Sequence, residues 1–145
     1  MGSLNYNLGI NDGTIIRNYT YKDMKVDIST NTNNRDIQDN IDYAAVEGGI
    51  YNLFLFAQGE RIINPEFGNT LYKYLYEPIS DLTASKLGQE INIMFAKWEP
   101  RINVQSINII PKPDENTYQI VILYTVPSLG GGAINTFNVS INARR

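Results

Sequence analysis

The sequence contains no histidine and no cysteine. The absence of cysteine excludes disulfides, thiolate metal sites and a cysteine nucleophile. The absence of histidine removes the usual general base of enzymes, the Ser–His–Asp triad and every zinc site that needs imidazole ligands. An enzyme made from this chain would therefore have to use carboxylates, lysine, tyrosine or serine.

Long apolar runs and a strong excess of one charge are also missing. No stretch approaches the roughly 20 apolar residues that a membrane-spanning helix needs, and the N-terminal residues MGSLNYNLGINDG lack the apolar core of a signal peptide. The net charge is −3, and Lys and Arg form no run. We therefore predict neither a nucleic-acid partner nor a membrane partner, and we expect a protein made in the cytoplasm.

What is present fits one folded domain with an N-terminal extension. The chain has 145 residues, of which 43% are hydrophobic and 19% charged, and a domain of this size buries roughly 70% of its unfolded surface. We predict that residues 1–35 form an arm with short strands at 14–21 and 24–29. Residues 36–145 are predicted to form the folded domain.

A first helix is predicted to begin near Asp36, because apolar residues recur at helical spacing from Ile37 to Leu55. Gly48 and Gly49 lie inside this run, where each glycine costs roughly 1 kcal/mol relative to alanine. Close approach of another backbone and a break in the helix both explain such a pair, and the sequence leaves the two explanations open.

Two more helices are predicted before the strands. A short one, TLYKYLYE (70–77), is predicted to be capped by Asn69 and stopped by Pro78, and its three tyrosines cannot all face the core. A longer helix is predicted to start near Thr83, which is a plausible N-cap, and to end at Pro100. The residues of its buried stripe are Leu87, Ile91, Phe95 and Trp98.

Three strands complete the chain as an antiparallel meander. The first (102–110) changes its apolar parity near Ser106, which predicts a β-bulge. The second (118–126) is apolar on both faces, as an interior strand is, and the third (137–142) alternates like a half-buried edge strand. The predicted class is therefore α+β, with about three helices on a small antiparallel sheet that an N-terminal strand could extend.

Catalytic and metal sites find little support. Without histidine, the remaining catalytic option is a carboxylate pair of the glycoside-hydrolase type. The acidic residues in the helical half are Glu60, Glu66, Glu77, Asp81, Glu90 and Glu99. This density is ordinary and the sequence fixes no distance between two of them, so we predict no catalytic residue. Asp36, Asp39 and Asp42 lack the spacing of a calcium loop, so we predict no metal and no cofactor.

The segment KWEPRINV (97–104) places Glu99 and Arg101 on either side of Pro100. One interpretation is that Arg101 pairs with Glu99 or another carboxylate and ties the helix end to the first strand of the meander. The other is that Arg101 offers its five donors to a partner protein. Local physics favours the internal pair.

Several short motifs occur in the order and spacing of one known family. These motifs are GER at 59–61, NPEFG at 64–68, EP at 77–78 and WEPRI at 98–102. In them the chain resembles the "lysozyme-like" phage baseplate wedge proteins, a sheath-initiator family that is related to the TssE component of type VI secretion. The resemblance covers about residues 36–143.

The resemblance implies a structural baseplate wedge component of a contractile phage tail that starts sheath assembly and is not an enzyme. Members of the family bind the helical core bundle of the wedge, lie near the tail tube and accept strands from the first sheath ring. The implied partners are baseplate wedge proteins and the tail sheath protein, with about six copies of the chain per particle. The implied location is the tail baseplate of the virion, after assembly in the host cytoplasm.

The resemblance also assigns roles to particular residues. It implies that Glu99, Pro100 and Arg101 bind partners together with Glu60 and Arg61, and we expect Glu99 and Arg101 to be exposed towards the wedge. The residues with a structural role are Gly59, Asn64, Pro65, Phe67, Gly68, Glu77, Pro78 and Trp98, of which Phe67 is expected to anchor its loop in the core. The edge residues that would accept a sheath strand are Phe137, Asn138, Val139, Ser140 and Ile141.

Two other hypotheses stay open at this point. One is a carboxylate-dependent, muramidase-like peptidoglycan hydrolase that uses residues such as Glu60 and Glu99, to which the family label points. The other is a regulatory binding module on the same fold, which would not need the Glu-Pro-Arg tripeptide.

Overall fold

The computed structural model describes residues 19–25, 39–130 and 132–143. Its elements, in chain order, are β1 (Lys22–Met24), β2 (Asp39–Ile41), α1 (Tyr43–Leu55), a 3₁₀ helix (Leu71–Lys73), α2 (Asp81–Trp98), β3 (Asn103–Lys112), β4 (Thr117–Thr125), a second 3₁₀ helix (Pro127–Leu129) and β5 (Asn135–Asn142). The predicted α+β class is confirmed. Within the described residues, neither α-helix has the length and apolar character of a membrane span.

The C-terminal strands form one antiparallel sheet in the order β3–β4–β5, so the predicted meander is confirmed. β4 is central, and alternate residues along it are buried. The register between β3 and β4 shifts between Val104 and Ser106, where the change of apolar parity predicted a bulge. In β5, Phe137 is buried while its neighbours Thr136 and Asn138 are exposed, as an alternating strand on the edge of a sheet requires.

Helix α2 packs its apolar stripe against this sheet, and it begins and ends for local reasons. The Ser80 hydroxyl accepts a hydrogen bond from the Thr83 N–H at 3.2 Å, so Ser80 and not Thr83 is the N-cap residue. The helix ends at Trp98, because Pro100 cannot continue it. Of the predicted stripe, Leu87, Ile91 and Phe95 are buried and Trp98 is partly buried.

The predicted start of the first helix is wrong. Residues Asp39–Ile41 form β2, which pairs with β1 in a separate two-stranded sheet, and α1 begins only at Tyr43. The turn between them is Asp42, which has a φ of 50° and accepts hydrogen bonds from the backbone of Thr20 and Tyr21 at 2.8 and 3.1 Å. An apolar pattern does not reveal this pairing, because the partner strand lies far away in sequence.

The N-terminal strand therefore extends a second sheet and not the meander, which corrects the expected sheet. Most of the predicted strands at 14–21 and 24–29, and the predicted helix start at 36–38, lie outside the described residues. The division into an arm (1–35) and a domain (36–145) stays a prediction, although β1 crosses it by pairing with β2.

The predicted second helix is only the 3₁₀ turn Leu71–Lys73. The described residues therefore contain two α-helices, where about three helices were predicted. Only Leu71 and Leu75 of this segment are buried in the core, which is too little apolar burial to stabilise a separate short helix.

The tyrosines of the same segment divide as expected between surface and interior. Tyr72 and Tyr76 are exposed, while the Tyr74 hydroxyl donates to Glu90 Oε1 at 3.2 Å.

Candidate functional site

Glu99, Pro100 and Arg101 lie at the junction between α2 and β3. The Glu99 N–H donates to the Phe95 carbonyl at 2.9 Å and closes the last turn of α2. Arg101 then folds back on Glu99: its Nε donates to Oε1 at 2.5 Å and its Nη2 donates to Oε2 at 2.7 Å. This two-bond arrangement is the strong geometry for an arginine and a carboxylate.

Glu99 is buried inside the fold. Only 4% of its side chain is accessible, compared with 23% for Arg101. The expectation that both residues are exposed is therefore wrong for Glu99, and the internal pair that local physics favoured is confirmed. A carboxylate without water is stable only when a cation and hydrogen bonds replace that water, and Arg101 supplies both.

Helix α1 passes directly over this ion pair at Gly49. A Cβ on Gly49 would overlap Glu99 Oε2 and would lie 2.7 Å from Arg101 Nη2. The helix is continuous through this residue, and the atoms that approach it belong to side chains. Neither explanation that the sequence left open therefore applies to Gly49. The helix does not break there and no other backbone approaches; the missing side chain leaves room for the Glu99–Arg101 ion pair.

Gly49→Ala is expected to lower the free energy of unfolding by about 1–3 kcal/mol, because the added methyl group forces the ion pair to move. At an ordinary helix position the same change would stabilise by up to about 1 kcal/mol. Gly88→Ala is the matched control, since the nearest atom to a Cβ there, Ile109 Cδ1, is 3.7 Å away. Urea unfolding compares the variants, and equal stability for both would contradict the steric explanation.

Arg101 also connects the junction to the N-terminal part of the chain. Its Nη1 donates to Asp23 Oδ2 at 2.9 Å, and its guanidinium carbon lies 5.3 Å from the centre of the Tyr21 ring. The hydrogen bonds that Arg101 donates to Glu99 raise the pKa of Arg101 above its ordinary value, so its charge is permanent. Arg101 therefore joins α1, α2, β1 and β3 around one buried carboxylate.

The loop between α1 and the first 3₁₀ helix is held from within. Glu60 Oε2 accepts a hydrogen bond from the Ala57 N–H at 2.8 Å. The Arg61 guanidinium carbon lies 4.6 Å from the Phe56 ring centre and 4.0 Å from that of Phe67. The predicted partner-binding residues Glu60 and Arg61 thus shape their own loop, and their contact with a partner stays a prediction.

Phe67 connects this loop to α2, as expected of an anchor. Its ring meets the Trp98 ring edge-to-face at 5.3 Å between centres, and it packs against the hydrophobic core. Gly68 beside it has a φ of 117°, and a Cβ there would lie 2.6 Å from the Phe56 carbonyl oxygen. Only glycine fits that position. The Asn64 carbonyl accepts the Phe67 N–H at 3.1 Å and closes the turn.

Asn69 has a structural role that the sequence predicted only in part. It is buried, and its Nδ2 donates to the carbonyls of Leu53, Phe54 and Phe56, each at 3.0 Å. Its Oδ1 accepts the Leu71 N–H at 3.2 Å, although the N-cap residue of the 3₁₀ helix is Thr70 and not the predicted Asn69. Its larger role is to complete the C-terminal end of α1.

The EP motif holds the start of α2. Glu77 Oε2 accepts a hydrogen bond from Lys86 Nζ at 2.9 Å, and the Pro78 carbonyl accepts the Thr83 hydroxyl at 3.0 Å.

The described residues contain no group of three or more metal-ligating side chains.

β5 is an edge strand within the described sheet. The Ala143 N–H, just after β5, donates towards β4 to the Asn116 carbonyl at 2.9 Å, and the register from β4 to β5 is continuous. Residues that bond to the neighbour alternate with residues whose N–H and C=O point away. The residues whose backbone groups point away from β4 are therefore Thr136, Asn138, Ser140 and Asn142. Of the predicted edge residues, only Asn138 and Ser140 offer free backbone groups.

A groove runs beside this free edge. Two clefts of about 350 and 420 Å³ are lined by residues of both α1 and β5. Four of the α1 residues that line them recur at helical spacing, namely Ala44, Gly48, Tyr51 and Leu55, and Glu47 and Phe54 complete the α1 lining. Tyr51 and Leu55 are each 50% exposed. A strand added to β5 would cover this second apolar stripe of α1.

The opposite edge, β3, is protected against pairing. It carries the bulge between Val104 and Ser106, Pro111 without an N–H, and the charged Lys112 at its end. These are the features by which natural sheets block edge-to-edge association. β5 contains no proline, no glycine and no charged residue, so the two edges differ in their capacity to accept a strand.

Comparison with known proteins gives one family. The model of the family described as baseplate wedge protein gp25 matches residues 42–128, from the turn before α1 to the second 3₁₀ helix. Baseplate wedge protein gp25 of Enterobacteria phage T4 is 28% identical over 93 residues, which cover 64% of this chain and 70% of that protein.

Two solved structures share the fold. One, described as a tail lysozyme of Geobacter sulfurreducens, has a TM-score of 0.63 and 24% identity, with 69% of this chain and 89% of that chain covered. The other belongs to the baseplate of the anti-feeding prophage and has a TM-score of 0.60 and 15% identity, with 86% and 87% covered.

Proposed function

Because the chain belongs to the baseplate wedge protein gp25 family, it is a structural component of a contractile phage tail baseplate, and we propose that it starts sheath assembly by accepting a strand on β5. The tail sheath protein supplies that strand. About six copies of the chain act per particle, in the tail baseplate of the virion, after assembly in the host cytoplasm.

The observation that carries this proposal is the difference between the two sheet edges. On β5, the backbone groups of alternate residues from Thr136 to Asn142 point away from the sheet, and a groove with an apolar wall lies beside them. Strand addition takes its affinity from such main-chain groups and its specificity from the adjoining pockets. On β3, the bulge between Val104 and Ser106 and Pro111, which has no N–H, disfavour the addition of a strand.

The Glu-Pro-Arg tripeptide is proposed to face the wedge core bundle, with a revised division of roles. Glu99 and Arg101 hold the junction through their internal pair, while the exposed Pro100 lies at the surface. Glu60 and Arg61 support the neighbouring loop. Residues 36–145 are proposed as the sheath-initiator domain and residues 1–35 as an arm that docks on Arg101 through Asp23.

We also propose that the chain has no hydrolase activity and binds no cofactor. In the hydrolase hypothesis Glu99 would be one of two catalytic carboxylates, but it is buried and both its oxygens accept hydrogen bonds from Arg101. A carboxyl group in that position has no access to a glycosidic oxygen.

Ser140→Pro tests the proposed strand addition. Proline removes an N–H that points away from β4 and puts a ring on the free edge, so the internal sheet is kept while pairing with a new strand is blocked. We expect the fraction of baseplates that carry sheath, counted by electron microscopy after adding purified sheath protein, to fall at least roughly tenfold.

Ser140→Thr is the control, because it keeps the backbone N–H and suits a strand. Thermal unfolding verifies that both variants are folded. Normal sheath growth on folded Ser140→Pro baseplates would rule out β5 as the accepting edge.

A further inference from the structure

The groove beside β5 consists of two clefts that follow one another along the strand. The first, the Gly48 cleft, has a volume of about 350 Å³ and lies between Gly48 and Tyr51 of α1 and Phe137 of β5. The second, the Leu55 cleft, has a volume of about 420 Å³ and lies between Leu55 and Ile141. Helix α1 and strand β5 therefore run in the same direction along the groove.

The length of the groove matches the repeat of an extended strand. Residues that lie opposite each other in paired strands put their side chains on the same face of the sheet. The residues of an added strand that lie opposite Phe137, Val139 and Ile141 therefore point into the groove. Three such alternate residues span about 13 Å, and the α1 stripe from Ala44 to Leu55 spans about 16 Å. The groove thus has room for three inward side chains.

Gly48 keeps the first cleft open. A Cβ on Gly48 would lie 3.0 Å from Asn40 Nδ2, and no other described atom lies within 4 Å of that position. Glycine weakens the interior of a helix relative to alanine. At Gly49 the missing side chain makes room for the internal ion pair, whereas Gly48 lines the surface of the groove. The room at Gly48 is therefore available to a side chain of a partner.

The floor of the Leu55 cleft belongs to the hydrophobic core. Leu71 and Leu75 line this cleft and are only 2% and 8% exposed. Leu55 and Tyr72 line it as well and are 50% and 40% exposed, so they form its rim. A large apolar side chain that enters this cleft would contact the core directly and cover the rim. Such filled, desolvated pockets supply most of the affinity of an interface.

We propose that the strand accepted by β5 carries three apolar side chains at alternate positions, and that the two clefts select this pattern. The side chain opposite Phe137 fills the Gly48 cleft. The side chain opposite Ile141 is a large one, such as leucine or phenylalanine, and fills the Leu55 cleft. The identification of the occupant as a strand of the sheath protein rests on the proposed function.

The free edge of β5 argues for an extended occupant. A helix bonds its own backbone groups internally, so a helix in this groove would cover the outward N–H and C=O groups of β5 without pairing them. The β5 strand of a second copy fits poorly as well. Its Phe137 is 7% exposed and its ring stacks on its own Phe54 at 5.8 Å between centres, so that side chain is not free to enter a cleft.

Gly48→Leu tests the first cleft. Leucine is a good helix former and the new side chain occupies the cleft, so the thermal midpoint of the full-length chain should stay at or above the wild-type value. Kd for purified sheath protein should rise about 10–100-fold. A glycine needed only for the internal fold would instead give a lower midpoint. Ser85→Leu is the control, because it adds the same side chain at an exposed position of α2 and should leave Kd unchanged.

Leu55→Gln tests the second cleft. It keeps a residue that suits a helix and removes the apolar rim, so Kd for the sheath protein should rise about tenfold. Leu82→Gln is the matched control, because Leu82 is 69% exposed on α2. The same change there should not affect binding.

Overlapping synthetic peptides that cover the sheath protein identify the strand by competition. The competing peptide should contain apolar residues at three alternate positions. Alanine at these positions should weaken competition about tenfold, while alanine at the two positions between them should have no effect. Alanine at the position opposite Phe137 should also improve binding to Gly48→Leu, because the smaller side chain leaves room for the added leucine.

Unchanged Kd for either cleft variant would overturn this inference, as would a competing peptide without alternating apolar residues. If Ser140→Pro still stops sheath growth in that case, the proposed strand addition stands without this specificity. If the wild type binds no sheath protein, the proposed function itself fails. Sedimentation measures self-association, and a cleft variant that lost only self-association would identify a second copy as the occupant and overturn the inference.

Discussion

Arg101→Ala will lower the free energy of unfolding by about 3 kcal/mol and the thermal midpoint by roughly 10 °C. The variant leaves the Glu99 carboxylate buried beneath Gly49 without its cation and without the two hydrogen bonds that replace water. The lower end of the range for a broken buried pair applies, because 23% of the Arg101 side chain reaches solvent. Urea unfolding and calorimetry measure both quantities.

Two further variants separate charge from geometry at this site. Arg101→Lys keeps the charge but loses the two-bond contact, so its loss should lie between the wild type and the alanine variant. Glu99→Met with Arg101→Met removes both charges and should recover most of the stability. A loss below about 1 kcal/mol for Arg101→Ala, the size of an exposed pair, would contradict a structural role for the buried pair.

This stability effect also bears on partner experiments. Arg101 holds α1, α2 and β1 together. If the Arg101→Ala variant no longer binds the wedge, the binding experiment therefore does not distinguish an unfolded protein from a lost contact with the partner. A substitution at the exposed Pro100 leaves that network intact. This position therefore reports on the contact itself.

Asn69→Ala will destabilise the fold by about 2–3 kcal/mol. The carbonyls of Leu53, Phe54 and Phe56 and the Leu71 N–H each lose a side-chain partner. The Phe56 carbonyl keeps the Asn69 backbone N–H at 3.0 Å, so three groups are left unpaired, at about 1 kcal/mol each. Because the following residues return to the core through Leu71, we expect amide hydrogen exchange to accelerate in the last turn of α1 and in the 3₁₀ helix. Exchange and urea unfolding provide the measurements.

Asn69→Asp is the sharper comparison at the same position. It keeps the shape but places carboxylate oxygens against the carbonyl oxygens of Leu53, Phe54 and Phe56, so at neutral pH it should be less stable than Asn69→Ala. The folded state disfavours the charged form and raises the pKa of the introduced carboxyl group. Its penalty is therefore full above that raised pKa and fades as the pH falls towards about 4. An aspartate variant as stable as wild type at pH 7 would contradict the three-carbonyl arrangement.

The sequence by itself determined the C-terminal half of the fold. β3, β4 and β5 follow one another and pair with their neighbours, so alternation within each strand was enough to predict the meander, and the parity change near Ser106 was enough to predict the bulge. The apolar stripe of α2 and its end before Pro100 are equally local. The short motifs around Gly59 and Pro100 also sufficed to indicate the family.

Only the tertiary structure decided which atoms meet at the candidate site. Arg101 and Asp23 are 78 positions apart, and Asn69 reaches back 16 positions to Leu53, so no periodic pattern records either contact. Glu99 looked like an exposed residue after a helix end, yet the return of the chain into β3 places it beneath Gly49. Likewise, the residues of β2 were predicted to belong to the first helix. Their strand conformation depends on pairing with β1, which lies on the other side of the 26–38 segment. Local periodicity fixes which face of an element is apolar, whereas the burial of a charge depends on which distant elements close over it.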